Sequence, residues 1–134
     1  MQLSKHIHSE ELLPPEWGNA VVLDPRLVIV LEKIRELCGG RPMILNTWHS
    51  GGSLKYRGYR PKSCTIGATK SMHREGKAAD FDIKWMTADA VRAIIRKNAV
   101  ELHALGLRRI ESGVSWVHID LKETGLSTIK EFRP

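Results

Sequence analysis

Two stretches of this chain alternate apolar and polar side chains, as a half-buried β-strand does. They cover residues 78–83 and 115–121. Successive side chains of a strand point to opposite faces, so each stretch has one apolar and one polar face. The apolar faces carry Ala79, Phe81 and Ile83, and Val117, Ile119 and Leu121. The opposite faces carry Ala78, Asp80 and Asp82, and Trp116, His118 and Asp120. If the apolar faces pack on helices, both polar faces lie on the other side of one sheet.

The first helix is marked at both ends. Asp24 is a favourable N-cap, and Pro25 suits the first helical position. Apolar residues then recur at helical spacing until Gly39 and Gly40 end the pattern. The sequence therefore predicts a helix between these two signals.

A second helix is predicted from Thr87, which can cap its start, to Gly106, which can end it. Further strands are predicted over residues 43–47, 108–112 and 127–132. Helices and strands that do not strictly alternate indicate an α+β fold. We expect a mainly antiparallel sheet, with the helices packed on one face and a polar site on the other.

The chain is basic, with a formal net charge of +6. Its residues, 1–134, show no internal repeat and are expected to form a single domain. The charge favours an anionic partner, which could be nucleic acid, a membrane surface or an acidic cell-wall polymer. Nucleic acid is the less favoured partner, because no RNP, helix-turn-helix or zinc-finger pattern is present. Basic residues concentrate in and after a glycine-rich loop predicted over residues 48–70, as Lys55, Arg57, Arg60, Lys62, Lys70, Arg74 and Lys77.

The sequence has neither a secretion signal nor a membrane-spanning pattern. The N-terminus lacks an apolar segment, and no later apolar run approaches the thickness of a bilayer. We therefore expect a chain that is made in the cytoplasm without membrane insertion, and that would need release to act outside the cell. We also expect a monomer. Cys38 and Cys64 lack the spacing of a zinc ribbon or a disulfide framework.

Two histidines and an aspartate are candidate metal ligands. Asp80 and His118 lie on the polar faces of the two predicted strands. Gly76 would let the backbone turn sharply, so that His73 comes back over the strand that carries Asp80. Three nitrogen and oxygen ligands are the set that a catalytic zinc prefers, since its fourth position stays open. The remaining histidines have no comparable partners and are interpreted as ordinary surface or core residues: His6, His8, His49 and His103.

These residues also carry a family resemblance. The pattern Ser71-x-His73-x-x-Gly76-x-Ala78-x-Asp80, followed by Trp116-x-His118, resembles the signature of the zinc D-Ala-D-Ala carboxypeptidases and related murein endopeptidases. That family shares its fold with the hedgehog signalling domain, and the resemblance covers most of the chain. It implies Zn²⁺ bound by His73, Asp80 and His118. It also implies peptidoglycan stem peptides as substrates. Ser71 and Trp116 are the candidate substrate-binding residues; the alternatives for Ser71 are a hydrogen bond to a metal ligand and an ordinary loop hydroxyl.

The general base is the first departure from the family pattern. Many members have an acidic residue three positions before the last histidine, where this chain has Ser115. The nearest upstream acid, Glu111, is the expected base, placed like the glutamate upstream of the last ligand in hedgehog-like members. Asp120 is the alternative, either as the base or as a residue that orients His118.

The arginine-bearing loop is the second departure, since relatives often have a shorter loop with a Ser-Gly-Tyr-Arg pattern. Gly58-Tyr59-Arg60 matches that pattern best, and Arg57 is the alternative. Such an arginine would stabilise the oxyanion of the scissile carbonyl or clamp a substrate carboxylate. Alternatively, both arginines belong to a solvated basic loop without a specific role.

The resemblance implies a zinc-dependent peptidoglycan peptidase that hydrolyses a stem-peptide bond next to a D-amino acid, as a carboxypeptidase or an endopeptidase. A phage or prophage lysin, released onto the cell wall or carried on a virion, would suit the charge and the missing signal. Ser115 favours an alternative, a non-catalytic zinc-stabilised cell-wall-binding module of the same fold. A facial triad for non-haem iron is also conceivable, but it would need a histidine after His118, and none follows.

Overall fold

The computed structural model describes residues 1–17, 22–64, 66 and 71–134. Within them lie three α-helices: α1 (Pro25–Leu37), α2 (Ala88–Lys97) and α3 (Ala99–Leu105). The same residues form five strands: β1 (Met43–Ile44), β2 (Ala78–Ile83), β3 (Arg109–Glu111), β4 (Val117–Asp120) and β5 (Lys130–Phe132). The fold class is α+β, as the sequence predicted.

The strands form one mixed sheet in the order β1-β2-β4-β3-β5. Among the described strands, the pairs β1–β2, β2–β4 and β3–β4 are antiparallel, and β3–β5 is parallel. Both edges of β4 are already paired, with β2 and with β3. The chain therefore passes β3 after β4, and β5 pairs with the free edge of β3, to which it runs parallel. The two strands that carry the candidate ligands, β2 and β4, are direct neighbours.

The apolar faces of β2 and β4 pack into one hydrophobic cluster with the helices. Phe81 and Ile119 are fully buried there, as strand alternation predicts. The helices contribute Leu27, Val30, Leu31, Ile34, Val91, Ile95 and Leu102 to the same cluster. The polar faces of the strands are therefore turned away from the helices, and they form the floor of the site.

The start of α1 follows the predicted signals. The Asp24 side chain accepts a hydrogen bond from the backbone N–H of Arg26 at 3.0 Å, and Pro25 is the first helical residue. The helix ends at Leu37, and Gly39 and Gly40 then adopt positive φ angles of 79° and 72°. These capping signals act between residues within one helical turn, so the sequence alone could predict where this helix begins and ends.

The sequence predicted one helix from Thr87 to Gly106, but the structure has two in its place, α2 and α3. Thr87 caps α2 by accepting from the N–H of Ala90 at 3.1 Å, but the helix breaks at Asn98. The side-chain amide of Asn98 donates to the carbonyl of Ile94 at 2.9 Å, and its backbone has φ −112° and ψ 26°. An asparagine side chain that bonds nearby backbone competes with the helix, so the chain turns before α3 begins.

Strand β2 spans the predicted residues 78–83, whereas β1, β3, β4 and β5 are each shorter than their sequence patterns. The predicted loop 48–70 contains a short 3-10 turn at Trp48–Ser50, while residue 65 and residues 67–70, including Lys70, lie outside the described part. Both cysteines are described, and both are buried free thiols. None of the described helices is long and apolar enough to cross a bilayer.

Candidate metal centre

A single 3-10 turn, Met72–Glu75, places His73 beside β2. The turn begins at Ser71, whose hydroxyl accepts from the backbone N–H of His73 at 3.2 Å. It ends at Gly76, whose φ of 68° lies in the left-handed region. A side chain there would also collide with a neighbouring segment, since a Cβ would overlap the carbonyl oxygen of Val22. The predicted sharp turn at Gly76 is therefore confirmed.

The ring of His73 is oriented by a backbone carbonyl. Its Nδ1 lies 2.7 Å from the carbonyl oxygen of Gly58, and the side chain is buried. A carbonyl only accepts, so Nδ1 carries the proton and donates it. The other nitrogen, Nε2, lies 3.4 Å from Oδ2 of Asp80. This is the arrangement of a metal-binding histidine, in which one ring nitrogen is held by the backbone and the other faces the ion.

Asp80 and His118 face each other across neighbouring strands. They are register partners in the β2–β4 ladder, and Oδ1 of Asp80 lies 2.8 Å from Nδ1 of His118. Both side chains are largely buried, at 8% relative exposure each. Antiparallel pairing thus brings together two residues that are far apart in sequence.

Asp120 and Arg109 hold the ring of His118 at the nitrogen that faces away from Asp80. Oδ2 of Asp120 lies 2.9 Å from Nε2 of His118, and Asp120 is completely buried. Arg109 donates two hydrogen bonds to the Asp120 carboxylate, at 2.9 and 2.8 Å. Asp120 is therefore engaged on both oxygens, a geometry that suits an orienting residue better than a general base.

The charges in this cluster shift its pKa values. Burial lowers the pKa of His118, but hydrogen bonds to Asp120 and Asp80 outweigh burial and raise the pKa to about 9. Burial raises the pKa of Asp80, and the hydrogen bonds from His118 and His73 reverse this and hold it well below its usual range. Asp120 behaves likewise: burial raises its pKa, and hydrogen bonds from His118 and Arg109 lower it overall. The site thus pairs ionised carboxylates with a protonated imidazole.

The three predicted ligands could hold a metal ion. One ligand atom from each of His73, Asp80 and His118 lies within 4.8 Å of the others, and all three residues are buried. Two imidazoles and one carboxylate are a donor set that catalytic zinc accepts with an open fourth position. The supporting bonds from Gly58 and Asp120 supply the outer-shell contacts that such ligands need.

A cleft of about 320 Å³ opens over this cluster. Glu111 borders it and is the register partner of His118 in the β3–β4 ladder, on the side opposite to Asp80. Arg60 also borders it, with Nη2 3.2 Å from Oδ2 of Asp80. The remaining lining residues are Ile66, Ser71, Met72, His73, Asp80, Arg109, Trp116, His118, Asp120 and Phe132.

The structure separates the two candidate arginines. Arg57 does not line the described cleft, since it pairs with Asp82 at 2.9 Å and donates to the carbonyl of Ile44 at 2.9 Å. The Arg60 side chain is held at the cleft, because its Nε donates to the carbonyl of Tyr56 at 2.9 Å and its Nη2 to Asp80 at 3.2 Å. Of the two candidates, Arg60 is therefore the one in reach of the site.

The other predicted site residues have distinct positions. Ser71 borders the cleft, although its hydroxyl is already used to cap the turn of His73. Trp116 forms part of the rim and is 38% exposed. Ser115 is exposed in the loop between β3 and β4, and it offers no acid. None of the other histidines in the described part joins the group; His6, for example, contacts Glu32 on α1.

Sequence reasoning missed three contributors to the site. Gly58 acts through its carbonyl, which leaves no side-chain signal. Arg109 shares a strand face with Glu111, so alternation along β3 could have identified it. Phe132 packs edge-on against the ring of His118 with centroids 5.7 Å apart, and Arg109 lies 4.1 Å over its ring. Its position depends on the parallel pairing of β5, which no local pattern revealed.

Comparison with known protein families, with curated proteins and with solved structures finds no match to this chain.

Proposed function

We propose that this chain is a zinc-dependent peptidoglycan peptidase of the D-Ala-D-Ala carboxypeptidase and murein endopeptidase type, with a hedgehog-like fold. The observation that carries the proposal is the buried group His73, Asp80 and His118 under a cleft bordered by Glu111. These three residues follow one another along the chain in the same order as the ligands in the family signature that the sequence resembles. The proposed substrate is a stem peptide, cut at a bond next to a D-amino acid.

His73, Asp80 and His118 would hold the zinc ion. The ring nitrogens that face Asp80 are Nε2 of His73 and Nδ1 of His118. When bound, zinc supplies Lewis-acid chemistry, which polarises a carbonyl and acidifies water. Asp120 keeps the ring of His118 in position, because its carboxylate is itself anchored by Arg109.

Glu111 is the proposed general base. It is beside His118 in the sheet and its side chain borders the cleft. A carboxylate in that place takes a proton from the attacking water and returns it to the leaving amine. Asp120 is less suited to this role, since His118 and Arg109 already occupy its oxygens.

Arg60 is the proposed partner of the scissile carbonyl. Its guanidinium borders the cleft beside Asp80 and can donate to an oxygen that gains negative charge. Trp116 and Ser71 line the rim, where a stem peptide would lie. The basic charge of the chain suits an anionic cell wall, in keeping with a phage or prophage lysin that acts after release or on a virion.

A non-catalytic module is the second candidate. Ser115 is exposed where many relatives of the proposed family have their base. If Glu111 does not act, the same site would only stabilise a cell-wall-binding fold. Such a chain would bind zinc and cell wall but release no peptide.

The deciding experiment is mass spectrometry of defined muropeptides incubated with the zinc-loaded protein. The proposal expects a product that differs from the substrate by hydrolysis of one stem-peptide bond. Addition of a chelator, or the substitution His118→Ala, should abolish that product. No product from any stem peptide, with zinc and cell-wall binding intact, would favour the binding module.

A further inference from the structure

The loop that joins β3 to β4 carries two residues of the proposed site at its ends. Glu111 is the last residue of β3, and Trp116 directly precedes β4. Gly113 turns the loop with a φ of 78°. Both side chains border the cleft, so any shift of this loop would move the proposed base and the rim together.

A buried arginine of α2 holds this loop by its carbonyl groups. Arg92 is 3% exposed, and its Nη1 donates to the carbonyl oxygen of Trp116 at 2.9 Å. The same nitrogen lies 3.5 Å from the carbonyl oxygen of Glu111, and Nη2 donates to that of Val114 at 2.9 Å. One planar group therefore reaches the start, the middle and the end of the loop.

The remaining donors of Arg92 are directed at Asp89 on the same helix. Nη2 and Nε lie 2.8 and 3.3 Å from Oδ1 of Asp89, whose side chain is 89% exposed. An arginine has five N–H donors in a fixed fork, and here each has an acceptor. Asp89 thus balances the positive charge of Arg92 at the surface, while the guanidinium donates to the loop carbonyl groups inside. A lysine has a single ammonium and could not bond three separated carbonyl groups in this plane.

We propose that Arg92 is a positioning residue for the β3–β4 loop, and that it sets the places of Glu111 and Trp116 over the metal centre. This inference rests on the proposed function for its catalytic consequence. Among the described residues, Arg92 does not itself line the cleft and donates to none of the candidate ligands. It reaches Glu111 and Trp116 only through their backbone carbonyls. It acts through backbone carbonyls, so its effect is on geometry and not on the ligands themselves.

The test is the variant Arg92→Lys, which keeps the charge and much of the buried volume. Three quantities are measured on zinc-loaded protein: kcat and KM for a cleaved muropeptide, the Kd for zinc, and amide hydrogen exchange in residues 111–117. We expect kcat to fall by about 10-fold to 100-fold, since small misplacements of catalytic groups cost rates of that order. Exchange in the loop should become faster, while the zinc Kd changes by less than about threefold.

Two variants of the same helix are matched controls. Asp89→Asn removes the exposed carboxylate and leaves the three carbonyl contacts, and Arg96→Lys changes a surface arginine that pairs with Glu131 at 2.7 Å. Both should keep the wild-type kcat and loop exchange. Wild-type kcat or wild-type exchange in Arg92→Lys would overturn the proposal, and so would an equal loss in Asp89→Asn.

Failure of the proposed function gives a different result. In that case the wild-type chain cleaves no muropeptide, whatever Arg92 does. Amide exchange in residues 111–117 still reports on the loop, because it needs no substrate. Faster exchange in Arg92→Lys alone would then support its hold on the loop, and unchanged exchange would refute it.

Discussion

His118 and Asp80 are direct cross-strand partners, and Nδ1 of the histidine lies 2.8 Å from Oδ1 of the aspartate. The pair is buried, and His73 approaches it from the turn before β2. Two of the three candidate ligands are therefore positioned by sheet pairing, which is a rigid support.

Zinc binding should depend on Asp80 and not on its neighbour along the strand. We expect the wild-type chain to bind one zinc ion, and Asp80→Asn to weaken binding by ~100-fold or more, since even outer-shell changes cost 10-fold to 100-fold. Asp82→Asn is the matched control, because Asp82 shares the strand face but pairs with Arg57. Titration with a chromophoric chelator measures both. Equal zinc affinity in the two variants would contradict the assigned ligand set.

Zinc affinity should rise with pH between 7 and 8. His118 has a pKa raised to about 9, so at neutral pH a proton occupies the ring nitrogen that a metal ion would need. Displacing one proton for each ion gives about a tenfold gain in affinity for each pH unit below that pKa. The measurement is the zinc Kd at both pH values, corrected for the competing chelator.

The same measurement on Asp120→Asn tests the cause. The hydrogen bond to Asp120 is the largest contribution that raises the pKa of His118, so its weakening should reduce the pH dependence. A zinc affinity that does not change with pH in the wild-type chain would show that no proton is displaced from His118.

Glu111→Gln should separate catalysis from metal binding. The amide keeps the size of the side chain but cannot take a proton, so kcat should fall by about 10²-fold to 10⁴-fold. The zinc Kd should stay within about twofold, because Glu111 is not among the three ligands. Glu123→Gln, a change at an exposed acid that contacts Arg108, is the control and should keep its activity. A kcat of Glu111→Gln close to wild type would remove this residue as the base.

Gly76→Ala should destabilise the fold and the metal centre together. Gly76 and Gly125 both have positive φ, at 68° and 73°, so alanine strains either position by about 1 to 2 kcal/mol. At Gly76 the new Cβ would also meet the carbonyl of Val22, whereas nothing lies within 4 Å at Gly125. We expect Gly76→Ala to lose about 2 to 5 kcal/mol of unfolding free energy. Denaturant unfolding of both variants measures the difference, and equal losses would show that the Val22 contact has no cost.

Local signals allowed much of the fold to be predicted. Asp24 and Pro25 marked the start of α1, and Thr87 marked the start of α2, because capping bonds join residues two or three positions apart. They did not reveal the break at Asn98, since an asparagine side chain can face solvent or bond the helix backbone equally well. The parallel pairing of β5 also lay beyond local reasoning, because it depends on how the whole sheet closes.

By itself the sequence determined which residues share a face. Strand alternation put Asp80 and His118 opposite the core, and Gly76 marked the turn that returns His73. Only the tertiary structure decided which loop residues reach that face. Arg60 contacts Asp80 at the cleft, whereas Arg57 pairs with Asp82 and does not line the cleft. The physical reason is range, because alternation and capping act over a few residues. Strand register, loop closure and buried contacts such as those of Arg92 join segments that only the folded chain brings together.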